Sequence, residues 1–189
     1  MRIYLASRSP RRRKILRNLG IKFSILKPNL RESILVSNVS PEKYAQALAQ
    51  MKVESVKHQV DKGIVIGMDT IVVFGKKILG KPKNRQEAQK MISLLSGQTH
   101  KVITGIYLER LPDKIAVKDF EVTKVKFRHL TDSEIARYIK TPEPYDKAGG
   151  YGIQGQAGLF VESIQGCYSN VIGLPVAKFL KLLKQLEKS

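Results

Sequence analysis

"GIVIGMDTIVVF", residues 63–74, decides how the chain folds. Gly63–Met68 is a continuous apolar run, the pattern of a strand buried on both faces of a sheet. Asp69-Thr70 interrupts it, and Ile71–Phe74 resumes before a turn at Gly75. The pattern predicts a central strand that ends at Asp69. A carboxylate and a hydroxyl there are costly unless they are hydrogen-bonded or used, and strand ends are where α/β sheets place ligands. Three readings stand for Asp69: an Asx turn, a metal ligand, or a general base.

Upstream, "RIYLA" (2–6) reads as a strand ended by "SRSP", and Pro10 suits a first helical position. Ile15, Leu16 and Leu19 give that helix an apolar face, and Gly20 closes it. Arg8, Arg11, Arg12, Arg13, Lys14 and Arg17 crowd this strand–loop–helix junction, where helix N–H groups favour anions. The junction reads as a phosphate cradle without the glycines of a P-loop.

"FSIL" (23–26) is a further strand. A helix over 41–59 follows, with Ser40 as its cap and Tyr44, Leu48, Met51 and Val56 along one face. Asn84 with Glu87, and Thr131 with Glu134, have capping-box spacing before helices that reach Leu95 and about Lys140. The stretches 101–110 and 115–128 alternate as a hairpin around "LPDK". Residues 141–174 read as a long loop. A last helix from Pro175 is expected to bury Val176, Phe179, Leu180, Leu183 and Leu186. Interleaved strands and helices predict an α/β fold with a mixed, twisted central sheet, and residues 1–189 read as a single domain.

Composition narrows the function. Apolar residues at 42% and charged residues at 26% are ordinary for a globular protein. Cys167 alone allows no intramolecular disulfide, no apolar run has the length of a membrane span, and no signal peptide is evident. The chain reads as cytoplasmic. The net charge of +18 points to polyanions: nucleic acid, nucleotides or phosphates. Ten Lys or Arg precede the first acidic residue, Glu32, so the positive charge is concentrated at one end.

Three further stretches carry side chains for chemistry. "LGKPKN" holds Lys81 in a turn, where a lysine meets a phosphate as a point charge. His100 in "SGQTHKVITG" lacks partners at ligand spacing and reads as structural, and His58 and His129 have no motif. "EPYDKAGGYGIQG" (143–155) combines close-approach glycines with Lys147, Tyr151 and Gln154. The Gln154 amide suits a pyrimidine base edge.

Together "LASRSPRRRKIL", "MDTIVV", "LGKP", "LSGQTHKVITG", "EPYDKAGGYGIQG" and "IQGCYSNVIGLP" closely resemble the Maf family of nucleoside triphosphate pyrophosphatases, in family order over nearly the whole chain. "DKAGGYGIQG" resembles the branch acting on dTTP and UTP. The resemblance implies a two-lobed fold around an active-site cleft, like the inosine triphosphatases. It also implies hydrolysis to the nucleoside monophosphate and pyrophosphate, dependent on a divalent cation (Mg2+, Mn2+ or Co2+). Modified pyrimidine nucleotides as substrates, a link to septum formation and cell-division arrest, and a homodimer are further implications.

By position, the resemblance makes Asp69 the proton acceptor and Arg11, Thr70 and Gln154 the substrate-selecting residues. Ser7, Ser9, Arg11, Arg12, Lys52 and Lys81 fall where the triphosphate is held, Lys147 on the base-side loop, and Glu32 with Asp69 near the metal. Arg31-Glu32 stands where the family often has Asp-Glu, and Cys167 where serine is commoner. The rival reading is a basic nucleic-acid-binding or nucleotide-sensing protein without turnover. It leaves Asp69 and the Gly-rich loop unexplained, and at 7% aromatic residues it has few rings for base stacking.

Overall fold

The computed structural model describes residues 1–29 and 39–188. These form a seven-stranded sheet in the order β2-β1-β3-β5-β6-β7, with β4 paired to β3. Its strands are β1 Ile3–Ala6, β2 Ser24–Leu26, β3 Gly63–Phe74, β4 Lys77–Leu79, β5 Thr99–Leu111, β6 Ile115–Phe127 and β7 Val161–Gln165. The helices are α1 Pro10–Asn18, α2 Pro41–Glu54, α3 Arg85–Leu95, α4 Asp132–Tyr138, α5 Tyr168–Ile172 and α6 Val176–Lys188. β1 runs parallel to β2 and β3, whereas β4 is antiparallel to β3 and β7 to β6. The mixed α/β sheet expected from the sequence is present. No described helix is long and apolar enough to cross a membrane.

The chain packs as two compact units. One comprises Met1–Asp69, Thr104–Glu121 and Gly173–Ser189; the other comprises Thr70–Ile103 and Val122–Ile172. In the first, period-two alternation sorts β3. Ile64, Ile66 and Met68 face a core with Leu5, Leu16 and Phe179, while Val65 joins Ala6, Ala49 and Val53 in another. Helices therefore cover both faces of the parallel strands, as sheets of this kind require.

α2 comes unusually close. A Cβ at Gly67 would lie 2.1 Å from the Ala49 carbonyl oxygen, and one at Gly105 would lie 2.2 Å from the Ala45 carbonyl carbon. Only glycine permits that approach. The buried stripe of α2 is consequently Ala45, Ala49 and Val53; of the expected Tyr44–Leu48–Met51–Val56 face, Val56 is buried just past the helix end and the other three are only half-buried. The helix stops at Glu54, and a separate 3-10 turn covers Lys57–Gln59.

Other expectations also shift. β3 does not end at Asp69 but continues through it to Phe74, since Ile71, Val72 and Val73 are again buried and keep the strand paired. α6 buries Leu182 with Phe179, Leu183 and Leu186 and leaves Leu180 exposed, because its packing stripe is set by the sheet it covers. In α1, Leu19 is exposed and Arg12 buried. Residues 141–174 are not one loop: they hold three short 3-10 turns, β7 and α5. Ser40, Asn84 and Thr131 cap their helices as expected, Ser9 also caps α1, and the Thr131–Glu134 box is complete. Glu87 instead accepts from the Lys83 N–H at 2.9 Å.

The second unit is built on aromatic side chains. Phe127 meets Tyr151 and Phe160 edge-on at 4.8 and 6.0 Å, and His100 packs on Phe127 at 5.0 Å. His100 is buried, its Nε2 lies 2.7 Å from the Tyr151 hydroxyl, and its Nδ1 has no partner among the described residues. Burial disfavours the imidazolium and pushes the pKa down to about 4. Because the folded pKa lies below the unfolded one, the folded state is fully favoured above pH 6.5 and loses stability as pH falls toward 4. Between pH 7.5 and 4.5 urea unfolding should show the protein losing about 2 kcal/mol that a His100→Gln variant does not lose. Parallel profiles for the two proteins would refute this.

Candidate active site

In the first unit the charged groups converge on Asp69. Alternation along β3 puts residue 69 on the same face as Gly67, the face that α2 covers. Lys52 lies one turn of α2 beyond Ala49, so the close approach at Gly67 carries its ammonium to the end of this face. Lys52 Nζ pairs directly with Asp69 Oδ1 and donates to the Met68 carbonyl at 3.1 Å. Both side chains are about one-fifth exposed, at 20% and 19%. This leaves them open to a ligand while their attraction is only partly screened. Tyr44, on the same helix, feels the site: burial and then the Asp69 charge push its hydroxyl pKa up.

The β1–α1 junction supplies the arginines. Ser9 caps α1 by accepting the Arg12 N–H at 3.4 Å, and Ser7 Oγ accepts the Ser9 N–H at 3.1 Å. Two N–H groups that the sequence reading offered to an anion are thus already taken by serines. The positive charge is carried by side chains instead. Arg12 is buried; its Nε donates to the Gly173 carbonyl at 2.7 Å and its Nη1 to Ser7 Oγ at 3.4 Å. Burial lowers its pKa to about 10, with Asp69 pulling it up and Arg11 pushing it down. The guanidinium stays charged at neutral pH, and these two influences put Arg11, Arg12 and Asp69 in one electrostatic neighbourhood.

The second unit gathers Lys81, Lys147 and Gln154, and Thr70 opens it immediately after Asp69. The Gly149 N–H donates to the Gly80 carbonyl at 2.9 Å, tying the Lys81 turn to the Gly-rich segment. Gly149 fits only as glycine: its φ is +71° and a Cβ would press the Val72 side chain at 3.0 Å. Lys147 Nζ donates to the Glu143 carbonyl at 2.7 Å and to Asp146 Oδ1 at 2.5 Å, so it braces the segment that bears it. Gln154 is exposed. Glu32 lies outside the described residues.

Among the described residues no group of three or more His, Cys, Asp or Glu gathers to hold a metal ion. Among the described residues Asp69 is the carboxylate that meets Lys52 here. One carboxylate fits a cation that arrives with phosphate oxygens, as Mg2+ characteristically does, and does not fit an all-protein cage. Tyr44 and Glu143 escaped the sequence reading. Tyr44 looked like core, and Glu143 gave no signal beyond its place ahead of the glycines. The one available clue to the α2 contact was Gly67 inside an apolar strand, the usual mark of close backbone approach.

A mixed sheet whose central strand presents one carboxylate to a lysine, in the field of a buried arginine, defines an α/β protein with a charged site on its central strand. Residues 2–186 match the Maf family, described as Maf-like protein. A dTTP/UTP pyrophosphatase of Carboxydothermus hydrogenoformans is 45% identical over 98% of both chains. Those of Alkaliphilus oremlandii and Thermoanaerobacter sp. (strain X514) are 50% and 48% identical, covering 95% and 98% of this chain and 93% and 96% of theirs. A solved nucleoside-triphosphatase (dITP/XTP pyrophosphatase) of Mycobacterium abscessus overlaps partially, at TM-score 0.41 and 15% identity, covering 67% of this chain and 74% of that one. The chain belongs to the Maf family.

Proposed function

We propose that this protein hydrolyses dTTP and UTP between the α- and β-phosphates, yielding the nucleoside monophosphate and pyrophosphate. The observation that carries this reading is the Lys52–Asp69 pair beside Arg12, in a chain whose family relatives bear that name. Asp69 accepts a proton from the attacking water, and Lys52, paired with it, orients its carboxylate until the substrate arrives. Arg11, Arg12, Lys52 and Lys81, with Ser7 and Ser9 at the helix start, hold the triphosphate, since positioning and charge neutralisation dominate such transfers. Thr70, Arg11 and Gln154 select the substrate, and Lys147 shapes the base-side loop.

Asp69, with Glu32, would hold a divalent cation (Mg2+, Mn2+ or Co2+), which supplies charge neutralisation at the phosphates. The reading extends to modified pyrimidine nucleotides, a cytoplasmic location and a homodimer, without any need for nucleic acid.

A panel of nucleoside triphosphates with Mg2+ or Mn2+, resolving pyrophosphate from phosphate, tests this directly. Pyrophosphate with dTMP and UMP, lost on chelation, is the expected result; diphosphates with free phosphate would overturn it. Gln154→Ala should lower kcat/KM for dTTP by about tenfold or more and flatten the preference over CTP and GTP, the effect of one lost base-edge hydrogen bond. An unchanged preference would make Gln154 structural.

A further inference from the structure

Gln154 sits at the third position of the four-residue turn Gly152–Gly155, closed by the Gly155 N–H donating to the Gly152 carbonyl at 3.0 Å. The 3-10 turn that follows it, Gln156–Phe160, starts at Gly155, which has no side chain to cap the first N–H groups. Those groups find their acceptor thirteen residues upstream. Glu143 Oε2 accepts from the Gln156 N–H at 2.8 Å, and Oε1 lies 3.4 Å from the Ala157 nitrogen.

The carboxylate lies against the turn so closely that a Cβ on Gly155 would fall 2.4 Å from either of its oxygens. At the other end, a Cβ on Gly152 would fall 2.7 Å from Lys147 Cε. The glycines flanking Ile153-Gln154 are therefore pressed on the Glu143 and Lys147 side chains. Glu143 is itself fixed. Its N–H donates to Thr141 Oγ1 at 3.3 Å, its carbonyl accepts Lys147 Nζ, and the hydroxyl of buried Tyr138 reaches its Oε1 at 3.3 Å. Tyr138 also packs edge-on to Phe160, at the far end of the same 3-10 turn, with ring centroids 5.0 Å apart.

We propose that Glu143 is a specificity-positioning residue: its carboxylate fixes the turn that carries Gln154 and thereby sets which base the protein accepts. The inference rests on the reading of Gln154 as the base-selecting side chain. Glu143 touches the turn's backbone and needs no contact with substrate. Removing it leaves two N–H groups without their acceptor and lets the turn sample other orientations, so the loss falls on recognition of the base.

The test compares Glu143→Ala, Glu143→Gln, Gln154→Ala and the Glu143→Ala/Gln154→Ala double variant. It measures kcat and KM for dTTP and dCTP and amide exchange at Gln156 and Ala157. Glu143→Ala should lower the dTTP:dCTP ratio of kcat/KM about tenfold, mainly through KM for dTTP, and speed exchange at both amides. Glu143→Gln, which keeps one acceptor oxygen, should lose only about threefold. In the Gln154→Ala background, removing Glu143 should change the ratio less than about twofold, because the side chain it positions is gone.

A ratio that Gln154→Ala changes and Glu143→Ala does not would overturn the inference and leave the Gln154 reading standing. Equal effects of Glu143→Ala in both backgrounds would also overturn it, as a general structural role. A ratio that Gln154→Ala leaves unchanged would overturn both. If Glu143→Ala does not fold, Glu143→Gln decides, and an unchanged ratio there overturns the inference.

Discussion

Asp69→Asn should give a folded protein that binds dTTP in metal-free buffer yet turns it over at least about a hundredfold more slowly. The substitution keeps the size of the side chain and an oxygen for Lys52 Nζ, and the Met68 carbonyl still accepts from that ammonium. What disappears is the negative charge, and with it the capacity to accept a proton or hold a cation. The fold should lose only about 1 kcal/mol, because the ion pair is partly solvated. Binding should survive, since Arg11, Arg12 and Lys81 are untouched and one charge that repels phosphate is gone. Isothermal titration with dTTP, together with single-turnover kinetics, separates the cases. Near-normal turnover would remove Asp69 from the chemistry, and loss of binding and folding together would make it a structural carboxylate.

Arg12→Ala should fail twice, losing about 2–3 kcal/mol of stability and about a hundredfold or more in kcat/KM. From the sequence, Arg11 and Arg12 at a helix start are expected to be partly exposed, with a folding cost of about 0.5 kcal/mol each. The structure corrects this for Arg12, which is 7% exposed and donates to the Gly173 carbonyl and to Ser7 Oγ. Truncation strips a strong donor from a buried carbonyl just ahead of Leu174, a core residue. Arg12→Lys should not rescue it, because an ammonium cannot reproduce the planar fork that serves both acceptors. Arg11→Ala is the control: residue 11 is only half-buried, so activity should fall while the urea midpoint stays within about 0.5 kcal/mol of the parent. Unchanged stability in Arg12→Ala would refute the buried role, and unchanged kinetics in both variants would return the cluster to a solvated face.

The legible parts of this molecule are those set by neighbours in the chain. Caps at Ser40, Asn84 and Thr131 depend on hydrogen bonds spanning three residues, so they could be read directly. The buried strand at Gly63–Met68 and the β5–β6 hairpin followed from apolar pattern and turn chemistry, and they were enough for the α/β class. The residue types at 11, 12, 52, 69, 70, 81, 147 and 154 named candidates by motif, without saying what each touches.

Tertiary structure decided the rest, because the deciding partners are distant in sequence. Asp69 lies within β3 and not at its end, since the strand's partners on both sides of it keep the ladder going. Lys52 meets Asp69, and Tyr44 feels its charge, because Gly67 and Gly105 admit α2 to backbone contact, whereas helical periodicity assigned Tyr44 to the core. Arg12 is buried by a carbonyl 161 residues away. The backbone just after Gln154 is held by the Glu143 carboxylate, which accepts the Gln156 N–H from thirteen residues upstream. Local interactions fix elements within a few residues; which side chains then share a site depends on long-range packing, and a linear pattern does not encode those distances.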